Sequence, residues 1–195
     1  MFKIVEDFEN KVADFFGAPY AVATDCCTHA IELSLRHQKV SKAICPSNTY
    51  ISIPFTLEKL SIDWSFDDRR WSDYYCLGNT NVIDAAVFWQ RNGYIPNTLM
   101  CLSFQYKKHL NLGRGGMILT DDKETAIKLK KMSYDGRSGD APWMLQDIDT
   151  IGYHYYMTPE TAQIGLDKFQ EAASTIPKQW SYRDYPHLPD MKVFQ

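Results

Sequence analysis

The stretch SFQYKKHLNLGRGG, 103–116, places a serine five residues before Lys108 and a glycine-rich turn five residues after it. A lysine in such a position is either a solvated turn residue or an amine that attacks a carbonyl. For the second role it must be unprotonated part of the time, so burial or a nearby cation must depress its pKa. Lys107 can supply the charge, and a strand end can supply the burial. Asp84, in NVIDAAVF, ends another apolar run. A carboxylate there is costly to bury alone, so it has a partner or a task. It either caps a helix starting at Ala85-Ala86 or pairs with a cationic ring. In DCCTHA, 25–30, the backbone N–H groups of a strand-to-helix turn can bind phosphate, and Thr28 adds a hydroxyl. A plain N-cap is the alternative. Ser103 can reach the same phosphate. Tyr50, in PSNTY, either stacks on a ring or fills the core.

Strands and helices must bring these residues together. Phe2, Val5, Phe8, Val12, Phe15 and Phe16 recur at helical spacing, and Gly17 stops that helix. YAVAT, 20–24, is a short apolar run suited to a buried strand, followed by a turn and a helix from about Thr28 to His37. A strand is expected over 42–47, a helix over 50–59 and a strand over 60–66. YYCL and NVIDAAV read as strands or strand ends. MCLSF, 100–104, and GGMILT, 115–120, read as a hairpin. Asp121 is the expected cap of a helix that Gly136 ends. SGDAPWMLQDIDT, 138–150, reads as a loop, and a helix is expected over 159–173. Strands alternating with helices specify one α/β domain over 1–175, with an irregular tail over 176–195.

Composition narrows the task. The chain has 195 residues with 45% hydrophobic and 23% charged, enough for one globular core. A net charge of −3 and the lack of a basic stripe argue against a nucleic-acid partner. The five cysteines include an adjacent pair but no CxxC, so a reduced, cytoplasmic protein without structural zinc is expected. No stretch reaches the roughly 18 apolar residues of a membrane span.

The order of the candidates is more specific than any one of them. Phosphate turn, aromatic, strand-end Asp, then Ser-x4-Lys and a glycine turn is the order of a fold-type I enzyme of pyridoxal 5'-phosphate. From about residue 5 to 170 the chain also resembles the DegT/StrS-type nucleotide-sugar aminotransferases. FENKVADFFGAPYAVATDCCTHAIELSLR is similar to that family's opening helix, strand and phosphate turn, with Cys26-Cys27-Thr28 where Ser-Gly-Thr is usual. CPSNTY is similar to the segment that sets an aromatic over the pyridine ring, which implies Tyr50. NVIDAA matches the strand-end Asp-Ala-Ala, so Asp84 should meet the pyridinium nitrogen. Val87 stands where Gln or His often lies near the phenolic oxygen. Counting from Ser103 or back from Gly113 selects Lys108 as the lysine that holds the cofactor as a Schiff base. Arg114 replaces an acid in the glycine turn. IGYHYYMTPETAQIGL, 151–166, resembles the segment whose Asn reaches a neighbouring subunit's cofactor phosphate; His154 takes that place and Tyr156 replaces an arginine.

The resemblance implies the large domain of a three-layer α/β/α, aspartate-aminotransferase-like fold. Most of a strand–helix–strand unit between Phe66 and Asp84 is missing, as is most of the small C-terminal domain. It further implies an amino-acid donor, glutamate in the family, a nucleotide-linked keto sugar as acceptor, and a homodimer with a shared site. Cys27, Thr28 and Ser103 would hold the phosphate, with His154 contributed by the partner. Two alternatives stand beside this reading. A sugar dehydratase of the family would carry His in place of the lysine, but His109 lies one position too late. A non-catalytic, partner-dependent remnant would fit the short chain, Val87 and Arg114.

Overall fold

The computed structural model describes residues 2–139 and 141–195. Asp140, inside the loop expected over 138–150, lies outside them. Helix α1, Lys3–Phe16, buries Val5, Phe8, Val12, Phe15 and Phe16, the stripe that the spacing specifies. Gly17 ends it at φ 73°, in the left-handed region that glycine enters without steric cost. Strand β1, Tyr20–Thr24, leads into α2, Cys27–His37. Strand β2, Lys42–Pro46, leads into α3, Ser52–Lys59. Helix α3 thus begins two residues later than expected and leaves Tyr50 in the preceding turn.

Strand β3 is Asp63–Asp67 and not 60–66. The N–H groups of Ser61 and Ile62 still bond back to Glu58 and Leu57, so these residues close α3 before the chain can extend. Strands β4, Tyr75–Cys76, β5, Val82–Asp84, β6, Leu99–Ser103, and β7, Gly116–Thr120, follow. Helix α4, Lys123–Ser133, is capped by Asp122, whose Oδ1 accepts the N–H of Thr125 at 2.6 Å. Asp121, the expected cap, instead accepts the N–H of Asn97 at 2.8 Å. Helix α5 is Pro159–Ser174, capped by Thr158.

Five strands form one sheet in the order β1-β7-β6-β5-β4. The expected hairpin is present: β6 and β7 are antiparallel, from Met100 opposite Leu119 to Ser103 opposite Gly116. Strands β5 and β6 are parallel, and β4 joins the edge antiparallel. Strands β2 and β3 pair in parallel in a separate two-stranded ladder.

Side-chain alternation divides the core. Met117 and Leu119 of β7 face the layer of α1 and α5, with Phe8, Phe16 and Phe169. Ile118 faces the other layer, where Ile31 and Leu35 of α2, Leu57 of α3 and Leu129 of α4 pack. Burial on both faces explains why the strands read as continuous apolar runs. Each such side chain contributes about 1.5–3 kcal/mol relative to exposure.

After α5 the chain makes short 3-10 turns and returns to the domain. Leu188 is fully buried, and its N–H donates to the Ser47 carbonyl at 2.8 Å. Phe194 packs on Phe55, Trp64 and Phe66. Among the described residues no helix is long and apolar enough to cross a membrane.

Candidate active site

Because β1, β5 and β6 run in one direction, their C-terminal ends share one sheet edge. Such an edge is where ligands bind in open α/β sheets. It opens into a cavity of about 700 Å³ lined by Cys27, Thr28, Tyr50, Asp84, Ser103 and Lys108. Six of the seven expected site residues therefore meet at one place. His154 does not line it.

Lys108 leaves a turn closed by its own N–H on the Gln105 carbonyl at 2.8 Å. Its Nζ lies 5.5 Å from the centre of the Trp180 ring. Burial pulls its pKa below the usual lysine range. Asp84 and Cys27 oppose that shift, and Lys107 reinforces it. The direction of the shift is the one a nucleophilic amine needs, and Lys107 acts in the expected direction.

Asp84 ends β5 and is buried. No helix starts at Ala85; the carboxylate instead closes a turn, its Oδ1 accepting the Ala86 N–H at 2.9 Å. Its Oδ2 accepts the Tyr75 hydroxyl at 2.5 Å. Burial raises its pKa, while Tyr75, Ala86 and Lys108 hold it down. The nearby Cys27 thiol and Tyr75 phenol are both pushed well up by burial, so both stay neutral.

At the β1–α2 turn no side chain caps α2, and Cys26, Cys27 and Thr28 at its start line the cavity. Cys27 directs Sγ inward, toward the Cys101 carbonyl at 3.7 Å, so its backbone is what it offers a ligand. Thr28 Oγ1 lies 2.9 Å from Ser52 Oγ, at the start of α3. Gly116 brings β7 against this turn: a Cβ there would lie 2.4 Å from the Cys26 carbonyl carbon and 2.5 Å from the Cys27 nitrogen. Only glycine permits that approach.

Arg114 has a structural reason. Its Nη2 meets Asp25 Oδ2 at 2.6 Å, tying the glycine turn to the β1–α2 turn. The other Asp25 oxygen meets His29 Nδ1 at 2.6 Å. The His29 ring stacks on Tyr155 at 3.6 Å. Burial opposes protonation of His29, but Asp25 and Cys26 outweigh it and raise its pKa to about 9. Asp25, Cys26 and His29 could hold a cation, their ligand atoms lying within 4.8 Å of one another. Both Asp25 oxygens are already engaged, however.

His154 lies on the surface, 71% exposed, with Nδ1 3.0 Å from Asp135 Oδ2. Tyr50 is 55% exposed at the cavity rim. Further lining residues escaped the sequence reading, among them Ser52, Tyr75, Trp180 and Tyr185. Ser52 follows Tyr50 by two residues and was accessible to motif reasoning. The other three carry no local signal.

Comparison with known proteins places this geometry. The curated relatives include the spore coat polysaccharide biosynthesis protein SpsC of Bacillus subtilis, 24% identical over 85% of this chain and 56% of that protein. They also include a dTDP-3-amino-3,4,6-trideoxy-alpha-D-glucose transaminase of Micromonospora megalomicea, 28% identical over 68% of this chain and 35% of that one. The chain thus spans about half or less of their length. Among solved structures, AtS13 of Actinomadura melliaura matches at TM-score 0.78 and 17% identity, over 88% of this chain and 61% of that one. A putative sugar aminotransferase of Streptococcus pneumoniae in its PLP form matches at 0.75 and 18%, over 89% and 60%. The fold is therefore the large domain of the PLP-dependent sugar aminotransferases, as expected. The model of the DegT/DnrJ/EryC1/StrS aminotransferase family matches residues 1–65 and 90–183, and the chain belongs to that family.

Proposed function

We propose that the protein is an aminotransferase dependent on pyridoxal 5'-phosphate, moving an amino group from glutamate to a nucleotide-linked keto sugar. The observation that carries this reading is the meeting of Lys108, Asp84 and the Thr28–Ser52 hydroxyl pair on one cavity. The donor set fits the three parts of the cofactor. A buried amine suits its aldehyde, a buried carboxylate suits its ring nitrogen, and hydroxyls beside a helix N-terminus suit its phosphate. The Micromonospora relative, a transaminase, and the Streptococcus protein, a putative sugar aminotransferase in its PLP form, support the same chemistry.

When bound, the cofactor supplies an electrophilic carbonyl and a ring that takes up electrons. Lys108 would hold the cofactor through Nζ and, as a free amine, would accept and return a proton at that atom. Its depressed pKa favours the free amine needed for both tasks. Asp84 stabilises a proton on the ring nitrogen. Cys27 and Thr28 offer backbone N–H groups to the phosphate, and Thr28, Ser52 and Ser103 offer hydroxyls. Tyr50, at the cavity rim, would offer an aromatic face to the cofactor's ring, and Val87 offers its phenolic oxygen no side-chain donor.

A homodimer belongs to this reading. His154 is exposed, as a residue serving a partner's phosphate must be. The nearby loop exposes Trp143, Met144, Leu145 and Ile151, an apolar surface that a second copy would cover. The free cysteines suit a reducing, cytoplasmic setting. Polysaccharide biosynthesis is the process we assign to the product.

The test is direct. The protein is purified with pyridoxal phosphate, its visible spectrum recorded, and the complex reduced with borohydride and mapped. A yellow band with the label on Lys108, bleached by glutamate, is expected. A colourless, unlabelled protein would overturn the reading.

A further inference from the structure

Tyr75 has a place in the site that no motif assigns. It belongs to β4, the short antiparallel edge strand, directly opposite Asp84 in the ladder. Its hydroxyl hydrogen is committed to Asp84 Oδ2 at 2.5 Å. The Thr49 hydroxyl also contacts the Tyr75 oxygen. A phenol has one hydrogen, so Thr49 must be the donor there. A directed chain of hydroxyls, Thr49 to Tyr75 to Asp84, thus runs from the residue before Tyr50 to the carboxylate.

The Tyr75 ring is fixed independently of its hydroxyl, packing on Trp71 at 5.0 Å. Both residues line the cavity. Resting on the proposed function, we infer that Tyr75 is a positioning residue, whose hydroxyl, oriented by Thr49, holds Asp84 as the anion that receives the cofactor's ring nitrogen. Ala86 N–H fixes one carboxylate oxygen and Tyr75 the other. The carboxylate therefore has one orientation before any ligand arrives, the preorganisation that electrostatic sites depend on.

The surroundings of Asp84 make the hydroxyl decisive. Facing it are Tyr75 from β4, Cys27 from α2, Cys45 from β2, Cys101 from β6, Lys108 from its turn and Tyr185 from the C-terminal segment. Burial keeps the thiols and phenols neutral by raising their pKa values. Lys108 is the one cation in the set, and it is itself depressed. Burial alone pushes Asp84 toward its neutral form, and Tyr75 is the largest influence against that. Without the hydroxyl the carboxyl should gain its proton at higher pH.

The test uses pyridoxamine 5'-phosphate, which lacks the aldehyde and so binds without covalent help from Lys108. Its affinity is measured by calorimetry from pH 5.5 to 9 for the wild type, Tyr75→Phe and Thr49→Val. We expect Tyr75→Phe to lose at least tenfold in affinity near the acid end and to approach the wild type near the alkaline end. The midpoint of its pH profile moves up, and that of Thr49→Val moves less in the same direction. Melting of the cofactor-free protein gives a second readout. A carboxyl whose folded pKa is raised adds stability as pH falls through that value. In Tyr75→Phe this gain should begin at higher pH than in the wild type.

A uniform loss of affinity, with profiles parallel to the wild type, would reduce Tyr75 to a packing residue and overturn the inference alone. A wild type that binds no pyridoxamine phosphate at any pH would overturn the proposed function, and the inference with it. If Tyr75→Phe does not fold, the Thr49→Val midpoint decides: an unmoved midpoint overturns the inference.

Discussion

The two walls of the cavity are built differently. One comes from the β1–α2 turn, the end of β6 and the glycine turn before β7. All of it lies within the residues that match the family. The other comes from residues 66–89, which that match omits, together with the C-terminal segment. Asp84 stands in the second wall although it is a residue that the family resemblance selects. The first wall is assembled from local strand-to-turn geometry. In the second, a two-residue antiparallel strand sets Tyr75 against the carboxylate, and Tyr75 and Tyr185 both pack on Trp71. The task proposed for Asp84 therefore rests on a part of the chain that the match omits, where burial and two hydrogen bonds orient the carboxylate.

The comparison can be broken most decisively in the first wall. Lys108→Ala should remove the yellow band and lower transamination by about three orders of magnitude or more, within the range of lost acid–base catalysis. Lys107→Ala should stay within about tenfold, because it only adjusts the charge near Lys108. Equal losses in single-turnover assays would sink the assignment.

The second wall is tested by Asp84→Asn, which keeps the shape and removes the charge. A fall of about two orders of magnitude in turnover is expected, the scale of losing one preorganised electrostatic contact. An unchanged rate would mean that the wall is only a support.

Gly116→Ala asks whether the first wall tolerates strain. Its Cβ would meet backbone at 2.4 Å, so a loss of about 1–3 kcal/mol in stability and weaker phosphate binding are expected in chemical denaturation and cofactor titration. An unaltered melting curve would refute the close approach.

The smallest effect sharpens the comparison at the turn itself. The folded pKa of His29 is raised, so the Asp25–His29 pair contributes fully below the ordinary value of 6.5 and fades as pH rises through about 9. Both partners are partly exposed, so the contribution is about 1 kcal/mol or less after screening. His29→Ala should therefore lower stability at pH 6 and approach the wild type near pH 10. A difference constant across that range would exclude the ion pair.

What the sequence made legible follows the same division. Ser103, Lys108 and the glycine turn lie on one short segment, where spacing is itself geometry. The hairpin of β6 and β7 was legible for the same reason. The separate ladder of β2 and β3 was not, because strand partners are chosen by tertiary packing. Tyr75 was hidden because its meaning depends on being opposite Asp84, a matter of register. Asp121 was the expected cap, but it is held by the Asn97 N–H, a partner far off in sequence, and Asp122 caps α4 instead. Arg114 looked anomalous only while Asp25, far back along the chain, was out of view.

The C-terminal segment has a consequence for how the protein comes together. Asn48 Nδ2 donates to the Tyr185 carbonyl across 137 residues of chain, and Leu188 reaches Ser47. Loops of that span are slow to close, since their entropy must be lost before any contact rewards it. The β6–β7 hairpin and the Lys108 turn between its strands rest on contacts near in sequence, whereas the β1 side of the sheet and the Trp180–Tyr185 side of the cavity both wait for long-range closures. Lys108 is therefore covered late in assembly, by parts of the chain that come from both of its ends.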